Sequence, residues 1–277
     1  SEIAHFEPEI IFHLAAQPLV RQSYESPVDT FETNFSGSLN LLESCRQVQS
    51  IKSVLIVTTD KVYENNEQQQ SYCEDDPLGG HDPYSASKAA AELVASAYRK
   101  SFFDPEGRVQ MVTMRAGNII GGGDWSEERL IPDCVRALQN KTRLDIRSPN
   151  AVRPWQHVTD ALMGYLILAE KMDAEEKLLP SAFNFGPIDR DKITVREILE
   201  MVNSKRQNKL DWRNTEIDDA PHEAAYLALD STRASNLLGW RPAYDVRQSV
   251  ERTLDWYDFF SGAPSPSNLR QFTLSQI

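Results

Sequence analysis

The chain has 277 residues, 40% hydrophobic and 25% charged, so it can bury a large core as one big domain or as two packed lobes. Its net charge of −12 repels nucleic acid and anionic membranes, and neither class of partner is expected. No apolar run reaches the roughly eighteen residues that span a bilayer, and no export signal opens the chain, so we expect a cytoplasmic protein. The three cysteines lack metal-ligand spacing, so we expect no metal site.

Short apolar runs alternate with helical patterns through the first half of the chain. Strands are predicted at residues 9–14, 53–58 and 109–116. Apolar residues at helical spacing predict helices at residues 27–48, 83–103 and 130–138. Strands that are apolar throughout and alternate with helices predict an α/β fold with a parallel sheet covered on both faces.

After residue 140 the pattern loosens into shorter pieces. Helices are predicted at residues 159–171, 194–205 and 246–260, and a strand at residues 182–185. We expect residues 1–140 to form a dinucleotide-binding domain and residues 141–277 to form mainly a smaller substrate-binding lobe, with elements that return to the sheet. The tail from residue 262 is rich in Ser, Pro and Gln, which predicts loose packing.

The glycines do not follow the usual dinucleotide-binding pattern. A Rossmann-like sheet that binds NAD normally opens with a strand, a glycine-rich turn and a helix that receives the pyrophosphate. No such turn precedes Ile10, and the triplet Gly121, Gly122 and Gly123 precedes no helical run, which predicts a flexible loop there. We therefore expect that the N-terminal part of the sheet is missing from this sequence.

Tyr84 and Lys88 stand four residues apart at the start of a predicted helix, so their side chains share one face. Asp82 suits the N-cap of that helix, and Pro83 suits its first turn. A lysine ammonium beside a phenol favours the phenolate, which makes the tyrosine a usable base. The pair therefore predicts a proton-transfer unit.

Polar residues Thr58, Thr59, Asp60 and Lys61 end the predicted strand at residues 53–58. At the carboxyl end of a parallel strand, such residues point into the crevice where these sheets bind ligands. Thr59 could bind a substrate hydroxyl, and Asp60 could donate a proton to a leaving hydroxyl. Lys61 could influence the charge of Asp60 or act as a base itself. A solvated turn at the strand end is the alternative.

Six motifs occur in order along nearly the whole chain. They read HLAAQP from His13, TN from Thr33, TTDKVY from Thr58, YSASK from Tyr84, RAGN from Arg115 and RPWQHV from Arg153. This series resembles that of the sugar-nucleotide dehydratases, which are extended short-chain dehydrogenases/reductases. Asp60 with Lys61, the nearby Asn65, and residues 76–82 and 120–125 resemble the members that act on CDP-glucose, whereas thymidine-linked members usually show Asp-Glu.

The resemblance implies a lyase that converts CDP-glucose to CDP-4-keto-6-deoxyglucose by C4 oxidation, loss of water across C5 and C6, and return of the hydride to C6. It implies NAD that stays bound, because the hydride is taken and returned within one turnover. It also implies deoxysugar synthesis for a bacterial surface polysaccharide such as O-antigen. The implied assembly is a homodimer through helices 27–48 and 83–103, whose outer faces are expected to include Leu41, Leu42 and Leu93.

By motif position, the catalytic residues would be Thr59, Asp60, Lys61, Tyr84 and Lys88. Tyr84 would take the 4-hydroxyl proton, while Lys88 tunes Tyr84 and holds the nicotinamide ribose. Thr59 would orient the 4-hydroxyl, and Asp60 would protonate the departing 6-hydroxyl. Lys61 stands where thymidine-linked enzymes use a glutamate to remove the C5 proton, a task that requires a neutral lysine.

The resemblance also assigns binding positions. NAD would be contacted by Leu14, Ala15, Ala16, Thr33, Thr58, Tyr84 and Lys88. The nucleotide diphosphate would be faced by Asn118, Arg129, Leu130, Arg153 and His222, among which arginine forks suit phosphate oxygens. His13 and His157 are interpreted as structural histidines with local hydrogen bonds.

Two alternatives stay open. A nucleotide-sugar 4-epimerase of the same fold would share Tyr84 and Lys88 but needs no acid to expel a hydroxyl, so Asp60 favours elimination. A non-catalytic, truncated remnant is the other alternative, because without a glycine-rich turn much of the pyrophosphate site is lost and a sheet edge is exposed.

Overall fold

Short strands and longer helices alternate in the computed structural model, which describes residues 2–66, 68–174, 179–187, 192–206, 208–215 and 224–276. The strands are β1 (Ile10–His13), β2 (Ser53–Val57), β3 (Gln110–Ala116), β4 (Asn118–Ile120), β5 (Leu144–Ile146), β6 (Val152–Arg153), β7 (Trp155–His157), β8 (Ala182–Phe185), β9 (Ile193–Thr194) and β10 (Trp212–Asn214). The α-helices are α1 (Glu2–Phe6), α2 (Val20–Glu25), α3 (Pro27–Phe31), α4 (Gly37–Gln47), α5 (Pro83–Tyr98), α6 (Asp104–Glu106), α7 (Leu130–Asn140), α8 (Val158–Ala174), α9 (Val195–Lys205), α10 (Thr232–Leu238), α11 (Val246–Ser261) and α12 (Pro266–Ser275). No helix within these ranges combines the length and the apolar character needed to cross a membrane.

The chain divides into two compact units. Unit 1 comprises residues 1–117, 163–185 and 229–241. Unit 2 comprises residues 118–162, 186–228 and 242–277. The assignment of dinucleotide binding to residues 1–140 and of substrate binding mainly to residues 141–277 stays a prediction.

A four-stranded parallel sheet, in the order β1-β2-β3-β8, forms the centre of unit 1. In its register, Ser53 pairs with both Ile10 and Gln110, and Ala182 pairs with Thr113. The sheet confirms the predicted α/β class and all four of the longer predicted strands. Because the strands are parallel, the segments that follow β1 and β2 leave the sheet side by side at one edge.

Two π-helical segments, Glu32–Ser36 and Arg99–Phe103, interrupt the two longest helices predicted in the first half of the chain. The first contains Asn34, whose buried side-chain amide donates to the carbonyl oxygen of Gln17 at 3.0 Å and to Ser87 Oγ at 2.9 Å. Asn34 Oδ1 also accepts from the Gln17 backbone amide at 2.8 Å. The segment thus ties the loop that follows β1 to α5.

Unit 1 also corrects one predicted surface residue. Leu42 is fully buried and packs in a cluster with Cys45, Ile51 and Val54, so its expected place on an outer helix face is wrong. Leu41 is half-buried against the same cluster. Leu93 alone of the three is exposed.

Unit 2 has its own core, around β4, β7, α7, α9 and α11. The predicted loose tail is wrong, because residues 266–275 form α12, which packs on α11. The Phe272 ring stacks on Phe259 with centroids 4.3 Å apart, and Trp256 Nε1 donates to Thr273 Oγ1 at 2.8 Å. These contacts explain why a polar sequence forms an ordered helix.

The glycine triplet after β4 is a closely packed turn. A Cβ atom on Gly122 would lie 2.0 to 2.6 Å from three atoms of the Trp256 side chain, a distance that real Cβ atoms do not reach. Gly123 adopts φ 89°, which favours glycine. The expectation of a flexible loop is therefore wrong here, and the glycines serve close packing.

We predict that Gly122→Ala lowers the free energy of unfolding by about 1–3 kcal/mol, because the new methyl group must displace Trp256. Gly37→Ala is the control. Gly37 is helical, with φ −59°, and its Cβ would approach only the Glu32 carbonyl oxygen, at 3.8 Å. The Gly37→Ala substitution should raise the free energy of unfolding by about 0.5–1 kcal/mol. Urea unfolding measures both, and equal stability of Gly122→Ala and wild type would contradict the packing described.

Candidate active site

The turn after β2 presents the predicted polar residues, and it is buried. Thr59 Oγ1 donates to Asp60 Oδ1 at 2.9 Å and accepts from the Lys61 amide, which caps a short 3-10 helix, Asp60–Val62. Asp60 is only 2% exposed, and the turn packs against α5. A solvated strand-end turn therefore does not describe Thr59 and Asp60, whereas Lys61 is half-buried.

The start of α5 agrees with its prediction. Asp82 Oδ1 accepts from the Ser85 amide at 2.9 Å, and Pro83 occupies the first turn. The Tyr84 amide donates to the buried Ser23 Oγ at 3.1 Å, which adds a second anchor. Tyr84 and Lys88 are both buried, one turn apart on one face of α5.

Lys88 of α5 places a buried cation at the end of β2. Its Nζ donates to the Val57 carbonyl oxygen at 3.1 Å. Burial lowers the pKa of Lys88 to about 8, against an opposing effect of the Glu92 charge. Lys88 is therefore mostly protonated at neutral pH, and a cation lies one turn from Tyr84 on the same helix face.

His13 and His157 each have a hydrogen-bond partner, but the partner of His13 lies 25 positions away and His157 Nε2 is buried without a partner among the described residues, so the expected local bonding is met only in part. His13 Nε2 lies 3.2 Å from Ser38 Oγ, and burial together with the charge of Lys88 lowers the pKa of His13. His157 Nδ1 lies 2.7 Å from Thr159 Oγ1, and burial and the Arg252 charge lower its pKa to about 4. Both imidazoles are therefore mostly neutral at physiological pH.

Glu92, one turn beyond Lys88 on α5, was not identified from the sequence. It forms a buried salt bridge with Arg115 of β3, with 2.8 Å between Oε2 and Nη2. The hydroxyl of Thr58, predicted to contact NAD, donates to Glu92 Oε1 at 2.5 Å. The available signal was an acidic residue four positions after Lys88, on the helix face that carries Tyr84 and Lys88.

The positions predicted for NAD differ in exposure. Leu14 and Ala15 are exposed in the loop after β1, Ala16 is half-buried, and Thr33 is exposed in the first π-helical segment. This open loop beside Lys88 suits the ribose and nicotinamide end of a dinucleotide. Within the described part of unit 1, no strand, glycine-rich turn and helix follow one another, so the fit concerns that end only.

The predicted substrate residues that can be located lie in unit 2. The Asn118 amide donates to the Pro154 carbonyl oxygen at 3.0 Å, which places β4 beside the segment that carries Arg153. Arg153 is buried and donates to the Val152 carbonyl oxygen at 2.9 Å. Arg129 and Leu130 are half-buried where α7 begins. His222 lies outside the described residues.

We predict a pH dependence of stability that belongs to Lys88. Its pKa is near 8 when folded and about 10.4 when unfolded, so the unfolded state binds more protons between these values and stability rises with pH. From pH 7.5 to 10, wild type should gain about 2 kcal/mol relative to Lys88→Met. Urea unfolding of both proteins measures this, and parallel curves would show that Lys88 has an ordinary pKa.

Comparison with known proteins places the chain in a family. Residues 1–253 match the family model described as GDP-mannose 4,6 dehydratase. A Salmonella typhimurium protein named CDP-glucose 4,6-dehydratase is 45% identical over 261 residues, which are 93% of this chain and 72% of that protein.

Solved structures give the same fold. UDP-glucuronic acid 4-epimerase from Bacillus cereus, in complex with UDP-glucuronic acid and NAD, matches with a TM-score of 0.82 at 18% identity, over 94% of this chain and 79% of that one. UDP-glucose 4-epimerase from Thermus thermophilus, in complex with NAD, matches with a TM-score of 0.79 at 26% identity, over 92% of this chain and 79% of that one. The predicted Rossmann-like fold and the resemblance to sugar-nucleotide dehydratases are confirmed, and the chain belongs to the GDP-mannose 4,6 dehydratase family.

Proposed function

We propose that the chain is an NAD-dependent lyase that dehydrates CDP-glucose to CDP-4-keto-6-deoxyglucose. The observation that carries this proposal is the buried Asp60, whose carboxylate accepts a hydrogen bond from Thr59. Both residues lie in a turn that packs against the helix of Tyr84 and Lys88. Epimerisation at C4 needs a base for one hydroxyl, whereas elimination also needs an acid for the departing 6-hydroxyl. The 45% identity to a protein named CDP-glucose 4,6-dehydratase supports the same substrate.

The first part of the reaction is oxidation at C4. NAD, when bound, supplies the acceptor for the C4 hydride and later its donor to C6. Tyr84 takes the 4-hydroxyl proton, and the cationic Lys88 one turn away stabilises the phenolate form that accepts it. Thr59 orients the same hydroxyl by a hydrogen bond.

The second part is elimination and reduction. The 4-keto group makes the C5 proton acidic, so oxidation must come first. Lys61 in its neutral form removes that proton while Asp60 protonates the 6-hydroxyl, which leaves as water. Lys61 returns the proton to C5 when the hydride adds to C6. Tyr84 loses to solvent the proton that it gained and Asp60 takes one up from solvent, so the net change is the loss of one water molecule.

The proposed ligand-binding residues are those assigned by the motif positions. Leu14, Ala15, Ala16 and Thr33 would contact NAD, together with Tyr84 and Lys88, whereas the Thr58 hydroxyl is hydrogen-bonded to Glu92. Asn118, Arg129, Leu130, Arg153 and His222 would face the nucleotide and its phosphates. Arg153 suits phosphate best, because a buried guanidinium in low dielectric binds an anion strongly.

We predict that the purified chain, given CDP-glucose and NAD, forms a 4-keto sugar that absorbs in alkali. Tyr84→Phe and Asp60→Asn should each lower kcat by about 10²–10⁴, because each removes a proton-transfer group. Tyr98→Phe is the control on the same helix, since the Tyr98 hydroxyl bonds only to Glu43 at the surface among the contacts described. It should keep the wild-type rate.

The remaining outcomes separate the alternatives. Interconversion of UDP-galactose and UDP-glucose, with no keto sugar from CDP-glucose, would replace the dehydratase with an epimerase. An inactive chain that also fails to bind NAD in calorimetry would instead indicate a non-catalytic remnant.

We also propose a homodimer, supported by the outer face of α5. Ala86, Ala90, Leu93 and Ala97 recur at helical spacing along this face and are exposed or half-buried, with Leu93 63% exposed. Small residues let two helices approach closely, and an exposed leucine gains by burial. Val28 in the neighbouring α3 extends the apolar surface.

We predict that Leu93→Glu converts the dimer to a monomer in sedimentation velocity, because a buried carboxylate without a partner is costly. Leu274→Glu is the matched control, since Leu274 is 57% exposed on α12 of unit 2. It should leave the dimer intact. A wild-type chain that is monomeric at all concentrations would contradict the proposal.

A cytoplasmic location is proposed as well. Cys45, Cys73 and Cys134 are free thiols, and two of them are buried. Burial raises the pKa of Cys45 to about 11, so this thiol is unreactive at neutral pH. Such cysteines suit a reducing compartment, where the product would enter deoxysugar synthesis.

A further inference from the structure

The carboxylate of Glu92 has a complete set of hydrogen-bond donors. Oε1 accepts from Thr58 Oγ1 at 2.5 Å and from Arg115 Nε at 2.9 Å. Oε2 accepts from Thr113 Oγ1 at 2.8 Å and from Arg115 Nη2 at 2.8 Å. A buried carboxylate with four donors in fixed directions holds those donors in place.

Two side chains of α5 therefore form hydrogen bonds with two consecutive residues at the end of β2. Lys88 Nζ binds the Val57 carbonyl oxygen, and Glu92 binds the Thr58 hydroxyl. Lys88 and Glu92 lie one helical turn apart on α5. Thr59 and Asp60 follow directly, so the same contacts fix where the strand end delivers them relative to α5.

We propose that Glu92, held by Arg115, is a positioning residue that acts through Thr58 on the placement of Thr59 and Asp60 against the helix of Tyr84 and Lys88. The inference rests on the proposed function for the roles of these four residues. It assigns the Thr58 hydroxyl to Glu92 rather than to NAD. Small displacements of groups that must meet a reacting atom cost about 10²-fold per ångström in rate.

Changing Glu92 itself is a poor test, because a buried Arg115 without its partner destabilises the fold. The two threonines provide a matched pair. Each is buried and donates to one oxygen of Glu92, and each also lies near one backbone carbonyl oxygen, Met114 for Thr58 at 3.4 Å and Ser181 for Thr113 at 3.3 Å. Only Thr58 is at the strand end; Thr113 is inside β3.

We predict that Thr58→Val lowers kcat about tenfold or more, with the KM for CDP-glucose and the Kd for NAD within about twofold of wild type. Thr113→Val, which loses the same kind of hydrogen bond, should keep kcat within about twofold. Thr58→Ser, which restores the hydroxyl, should recover the wild-type kcat. Hydrogen exchange of peptides covering residues 57–63 should rise in Thr58→Val and stay unchanged in Thr113→Val.

Three results would overturn the proposal. Equal losses of kcat in the two valine variants would mean that the hydrogen bonds matter only for stability. A weaker Kd for NAD at unchanged kcat in Thr58→Val would make Thr58 a cofactor contact. Unchanged exchange at residues 57–63 would remove the positional effect, and because exchange needs no turnover, it decides the matter even if the wild-type chain is inactive on CDP-glucose.

Discussion

The buried ion pair between Glu92 and Arg115 is the interaction on which the rest of unit 1 depends. Removing two charges from water costs several kcal/mol for each ion, and attraction offsets this only when the remaining donors and acceptors are also paired. Here they are, because Arg115 Nη1 also donates to Tyr63 Oη and to the Glu74 carbonyl oxygen, both at 3.0 Å. Burial by itself would lower the pKa of Arg115, but the hydrogen bonds to Glu92, the charge of Glu92 and the smaller effects of Tyr63 together raise it.

The same network extends from Arg115 across the sheet to β8. Tyr63 Oη donates to Asn184 Oδ1 at 2.6 Å, and the Asn184 amide donates to Glu74 Oε1 at 2.8 Å. Asn184 Nδ2 reaches the Tyr72 carbonyl oxygen at 2.9 Å. Tyr63, Tyr72 and Glu74, which lie between β2 and α5, are therefore held at the carboxyl ends of β3 and β8, and breaking these bonds would leave buried polar groups unpaired.

Periodicity predicted the longer elements because it records burial of one face. The pairing of Tyr84 with Lys88 on one helix face could be predicted because it depends only on their spacing in the sequence. The strands β4 to β7, β9 and β10 were missed, since two or three residues show no period. The tail failed because α12 is held by Phe259 and Trp256 of another helix. Glu92 was missed for a similar reason, because its partner is 23 positions away in β3.

Arg115 also affects which hydrogen bond Lys88 forms. A lysine and a glutamate at positions i and i+4 on a helix ordinarily attract each other. In this chain both Glu92 oxygens are occupied by Arg115 and by threonine hydroxyls, and Lys88 Nζ instead donates to the Val57 carbonyl oxygen. The charge of Glu92 still raises the pKa of Lys88, against the larger effect of burial. The charge of Glu92 thus partly offsets the effect of burial, while the hydrogen bond to Val57 holds the Lys88 ammonium at the strand end, one turn from Tyr84 on the same helix face.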